Sequence, residues 1–122
     1  MRRVIIRNTS TPQATPIRAV YADSFLLRLR GLMFSTQLAP DEGILLVEDR
    51  ESILNTSIHM LFMNFDITAV WLDSANRVVD VQLARRWRLA YAPKSPAKSV
   101  LEIHKDHLGI FHPGDQLTLT NA

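Results

Sequence analysis

Three groups of side chains in this sequence are of types that can do chemistry. His104, His107 and His112 lie close along the chain, with Asp106 among them. Imidazole and carboxylate are the ligands that zinc, nickel or iron would find in a protein without cysteine, and this chain has no cysteine. His104 and His107 are spaced to share one face of a helical turn, whereas His112 falls in a turn beyond Gly109. Structural zinc sites usually include Cys, so three solvated turn histidines are the simpler reading. No metal and no cofactor is assigned; the three histidines stand only as metal candidates.

The second group is Arg30 with Asp41 and Glu42. An arginine at the end of a helix either pairs with a following turn carboxylate, which fastens helix to turn, or serves as an anion clamp. The fastening role is favoured. The third group is His59, Asp66, Trp87 and Tyr91. His59 interrupts an apolar run, as a buried and satisfied histidine or a general acid/base would. Asp66 stands at an expected bend between apolar segments, and Trp87 lies in a basic stretch. A cleft lined by these four would suit a small polar ligand. Taken singly, each is also explained by packing or turn chemistry.

Other chemistries leave no trace. The four glycines, 31, 43, 109 and 114, are too dispersed for a phosphate-cradling loop, and neither a nucleophile elbow nor an HExxH helix occurs. Between Arg85 and Lys105 six cations (Arg85, Arg86, Arg88, Lys94, Lys98, Lys105) face one anion, Glu102. Such a run could meet a phosphate backbone, but charge runs are usually solvated faces, and two Trp and two Tyr make no stacking platform. Nucleic acid therefore ranks last among the partners considered.

The elements that must hold these residues are mostly strands. With 122 residues, 47% of them hydrophobic and 21% charged, the chain reads as one domain spanning 1–122, able to bury a core without disulfides. No apolar run approaches the ~20 residues of a membrane span. Arg7 interrupts the first apolar run, Val4-Ile5-Ile6, too early for an export signal, so a cytoplasmic protein is expected. The opening strand is followed by a Pro/Thr-rich loop within 1–18. Strands are expected over 17–22, 44–47, 57–60, 67–72, 78–83, 99–103 and 116–120. Phe25, Leu26, Leu29, Leu32 and Met33 recur at helical spacing behind Asp23 or Ser24, with Gly31 near the end, which predicts one short helix near residues 24–33. Residues 67–83 read as a hairpin whose second strand has one polar face, Asp80, Gln82 and Ala84. The fold class is mainly β: an antiparallel β-sandwich or a barrel-like single domain.

Certain stretches also resemble a known family. Arg28 to Met33 (RLRGLM), Pro40 to Leu45 with its Glu42-Gly43 turn, Ser57-Ile58-His59-Met60 with Phe62-Met63, and Val70 to Asp73 are similar to domain-of-unknown-function family 192. The similarity resumes at Arg86-Trp87-Arg88, Val100-Leu101-Glu102 and Pro113-Gly114-Asp115, and so covers about 19–119. The resemblance, to a bacterial and archaeal family, implies a bacterial protein with a compact, mostly antiparallel β-sandwich, and carries no activity with it. Where the family usually has Pro-Ile-Asp or Pro-Leu-Asp, this chain has Asp66-Ile67-Thr68.

No assembled catalytic set is visible. The leading expectation is therefore a non-catalytic binding or accessory module, for a small molecule or a protein partner, as monomer or homodimer. Its ligand-binding candidates are His59, Asp66, Trp87, Tyr91 and Arg30. Two alternatives stand beside it: a small hydrolase or sugar-active enzyme with a cleft near His59 and Asp66, and a nucleic-acid-associated protein acting through Arg85–Lys105.

Overall fold

Alternation decides this fold. The computed structural model describes residues 2–122, in the order β1 (Arg3–Asn8), β2 (Ile17–Ala22), α1 (Phe25–Arg30), β3 (Glu42–Ser52), β4 (Ile67–Leu72), β5 (Val78–Ala84), β6 (Ala97–His104), a 3-10 turn (Lys105–His107) and β7 (Leu117–Asn121). All seven strands join one curled sheet, a half-barrel, in the spatial order β5-β4-β6-β3-β2-β1-β7. The barrel-like alternative thus describes the chain, with one sheet in place of two stacked ones. Every pairing is antiparallel except β2 with β3, which run parallel from Arg18 opposite Glu42 to Ala22 opposite Leu46. A parallel pair needs a crossover connection, and residues 23–41 supply it, carrying α1.

Successive strand residues point to opposite faces, so each strand feeds two cores. Val4, Ile6, Ile17, Leu45, Val70, Leu101, Ile103 and Leu117 pack on the inside of the curl. Ile44, Leu46, Ala69, Trp71 and Val100, the alternate residues of β3, β4 and β6, pack on the other face beneath Ile58, Met60 and Met63. Trp71 Nε1 donates to the Thr56 carbonyl at 2.7 Å, which pins this covering segment to β4. The seam between the two ends of the sheet is bridged where Arg77 pairs with Gln116 and Leu117 N donates to the Asn76 carbonyl.

The expected elements differ from the observed ones in instructive ways. The helix is confined to Phe25–Arg30 by Ser24, whose side chain accepts from Leu27 N, and by Gly31, at φ 49° and ψ −126°. None of its residues is buried: Phe25, Leu26 and Leu29 remain more than half exposed. Helical spacing alone does not ensure coverage. The expected strand over 57–60 is a single bridge, Ile58 to Tyr91, because the segment lies across the sheet rather than alongside a strand. The polar face of β5 turns out to be its buried one, with Asp80 1% exposed and Ala84 fully buried.

Candidate functional site

A cavity of about 280 Å³ lies under α1, between residues 28–33, residues 55–59 with Met63, and the β3–β6 pair. Its walls are largely apolar, with Leu29, Leu32, Leu46, Ile58, Met63 and Val100 among them. Glu102 also lines it. This residue alternates with Leu101 and Ile103, which belong to the inner core, so its side chain leaves the other face of β6. Its neighbours in register are Ile44 on β3 and Ala69 on β4, neither of which offers a hydrogen bond from its side chain.

Glu102 is only 5% exposed, and burial pushes its carboxyl up to about 7, with no cation or donor holding it down. Gly31 keeps that carboxyl uncovered. A Cβ on Gly31 would sit 3.3 Å from Glu102 Oε1, and the positive φ at this position disfavours a side chain on its own account. Two further charged residues of the lining, Arg28 and Glu48, pair with each other. Arg28 Nε lies 2.6 Å from Glu48 Oε2, and Arg28 Nη1 donates to the carbonyls of Asp23 and Val47.

The candidates from the sequence are dispersed around this cavity. His59 lines it half-buried, with Nδ1 accepting from Leu61 N at 3.3 Å, so that Nε2 carries the proton when the ring is neutral. Arg30 lines it too, exposed; among the described residues Arg30 makes no ion pair, and it is Arg28 that fastens the helix. Asp66 belongs to a separate recess with Thr36, Arg86 and His104, where Oδ1 accepts from Arg86 N at 2.9 Å. Trp87 is exposed and edge-on to Phe62, which packs in turn on Phe34; all three have positive φ. The Tyr91 hydroxyl accepts from Arg85 N at 2.9 Å. Of the four-residue cleft, then, only His59 reaches the main cavity.

The histidines are not gathered into a cluster. His104 Nδ1 accepts from Asp106 N, the buried His107 ring bonds the Pro40 carbonyl, and His112 Nδ1 lies 3.6 Å from Asp115. Among the described residues no group of three or more His, Asp or Glu is placed to hold a metal ion. No described helix is long and apolar enough to cross a membrane.

Sequence reasoning did not single out Glu102 as a site residue, although a lone acid inside Val100–Ile103 is the visible signal. Three stretches that carry the family resemblance, Arg28–Met33, Ser57–His59 and Leu101-Glu102, place residues at this one cavity.

The half-barrel fold is met in solved structures. One is a Sinorhizobium meliloti protein described as a candidate transcription regulator, with a TM-score of 0.82 and 22% identity over 97% of this chain and 92% of that one. Another is a protein of unknown function from Novosphingobium aromaticivorans, with a TM-score of 0.78 and 23% identity over 95% and 83%. These likenesses concern the fold alone. The chain itself belongs to the DUF192 family, described as Uncharacterized ACR, whose model matches residues 5–119. Relatives include the UPF0127 protein of Thermococcus gammatolerans, 48% identical over 66% of this chain and 51% of its own length. The UPF0127 protein TK1120 of Thermococcus kodakarensis is 41% identical over 80% and 60%, and PF1050 of Pyrococcus furiosus is 36% identical over 78% of each chain. The matched stretch thus spans little more than half of the first two relatives.

Proposed function

We propose that the protein is a non-catalytic ligand-binding module whose site is the cavity beneath α1. The observation that carries this reading is the Glu102 carboxyl, buried on a strand, turned into an apolar cavity and without a hydrogen-bond or ion-pair partner among the described residues. An uncompensated buried acid costs stability, and a bound molecule that meets it would recover that cost. Small-molecule sites commonly combine apolar walls with a few convergent polar groups. The hydrolase alternative is less well supported, because His59 and Asp66 line different recesses.

The test is a thermal-shift titration with small apolar probes carrying one polar group, 1-hexanol, hexanoate and n-hexylamine, on the wild type and on Val100→Phe. Val100 lines the cavity, and the larger ring is expected to occupy part of it. A ligand that binds only the folded state raises the melting temperature by mass action. At least one probe is expected to shift the wild type and to leave V100F unmoved. Equal shifts in the two proteins, or none in the wild type, would overturn the reading.

A further inference from the structure

We infer that the cavity takes a ligand with a protonated amine on an apolar body, the ammonium pairing with the Glu102 carboxylate beneath Gly31. The inference rests on the binding-module reading above and adds the chemical class of the ligand. Charge balance inside the cavity carries it. Arg28 and Glu48 pair at 2.6 Å, and Arg28 Nη1 donates to the Asp23 and Val47 carbonyls. His59 gives its Nδ1 to a backbone N–H. Among the described residues that line the cavity, Glu102 is the buried charge-bearing group without a counter-ion, while the unpaired Arg30 is exposed to solvent.

Shape agrees with charge. Leu46, Ile58, Met63 and Val100 offer nothing to a polar body and good contact to an apolar one. A volume of about 280 Å³ accommodates a molecule of on the order of ten non-hydrogen atoms, judged against the ~30 Å³ that one water occupies in the liquid. Gly31 leaves Oε1 approachable, since the Cβ of any other residue would stand 3.3 Å from it. An anionic ligand would confront the carboxylate at close range, and an alcohol would give one hydrogen bond and no counter-charge. An ammonium supplies both.

The pairing is linked to a proton. A neutral Glu102 loses its proton to buffer when the ammonium arrives, and the ammonium keeps all of its own. Because burial holds the carboxyl near 7, affinity for an amine increases from pH 6 to pH 8 by about tenfold, the rise in the ionised fraction over that range.

The experiment is calorimetric titration of the whole chain with n-hexylammonium, 1-hexanol and hexanoate at pH 6, 7 and 8. Two buffers of different ionisation enthalpy are used, and Glu102→Gln is run in parallel. The expected result is n-hexylammonium at least tenfold tighter than 1-hexanol at pH 8, tightening with pH, and releasing about half a proton at pH 7. In E102Q the preference for the amine disappears while 1-hexanol binding persists. Binding of 1-hexanol or hexanoate with no advantage for the amine overturns this inference and leaves the cavity reading standing. Binding by none of the three overturns both. The proton count is read on the wild type alone, so a flat pH response there overturns the inference even if the variant does not fold.

Discussion

Asp80 and Glu102 are both acids buried within strands of one sheet, and they are treated in opposite ways. Asp80 on β5 is 1% exposed and surrounded by donors: Val81 N and Gln82 Nε2 reach it at 2.9 and 2.8 Å, and Lys94 N at 3.1 Å. It joins β5 to the loop before β6, and Gln82 Nε2 extends that tie to the Ala92 carbonyl. Glu102 on β6 is nearly as buried and has no such shell. Burial of an acid therefore does not distinguish a structural role from a binding one. The supply of donors does: a carboxylate ringed by protein donors fixes backbone, whereas one that meets only the cavity is available to something else.

The comparison breaks most easily at Asp80. Replacing it with Ala strands three donors, two of them backbone N–H groups, and should destabilise the fold by about 3 kcal/mol. Chemical denaturation checks this; an unchanged midpoint would erase the contrast between the two acids. Glu102→Gln should move stability the other way. The folded carboxyl titrates at about 7 against a reference of 4.5, so the folded state binds more protons than the unfolded one between those values. Wild-type stability should accordingly fall as pH rises through that window, by roughly 3 kcal/mol at most, and stay low above it. E102Q lacks this slope, and is expected to be more stable than wild type at pH 8 and about equal to it at pH 4. A wild type whose stability rises from pH 5 to pH 7 relative to E102Q would contradict the assignment.

Smaller effects sharpen the same contrast. Gly31→Ala sets a side chain at φ 49° and 3.3 Å from Glu102 Oε1, with an expected loss of about 1–3 kcal/mol. Part of that loss should vanish in a G31A/E102A double variant, because the shortened side chain relieves the contact; strict additivity would show that only the backbone matters. Smallest of all is Glu48→Ala. Its ion pair with Arg28 leaves both side chains about one-fifth exposed, so about 1 kcal/mol is expected, with weak dependence on salt.

Much of the frame was readable from residue order. The β4–β5 hairpin announced itself through two apolar runs around Asp73–Arg77, where Asp73 Oδ1 does accept from Ala75 N and Arg77 N. The helix followed from Ser24, the apolar spacing and Gly31. The parallel β2–β3 pair left no local mark, since strand direction depends on where the crossover travels. The site was harder for a related reason. His59, Arg30 and Glu102 come from three separate segments, and their meeting depends on the 53–65 stretch lying over β4 and β6, which the Trp71–Thr56 hydrogen bond secures. Glu102 looked like the lone anion of a basic run because charge was counted along the chain and not across the sheet. Asp66 and Tyr91, which looked chemical, are engaged by the backbone N–H groups of Arg86 and Arg85.

The single parallel pair has one more consequence. Its crossover is also the roof of the cavity, and the helix within it buries none of its residues. The roof can therefore fray while every rung of the β3–β6 ladder stays closed. In amide hydrogen exchange, Leu27 to Gly31 should lose protection through brief local openings, while Leu101 and Ile103 exchange only when the whole chain unfolds. A ligand would then enter by way of the least protected segment of the molecule, and its arrival would be recorded as slower exchange there, with the sheet beneath unchanged.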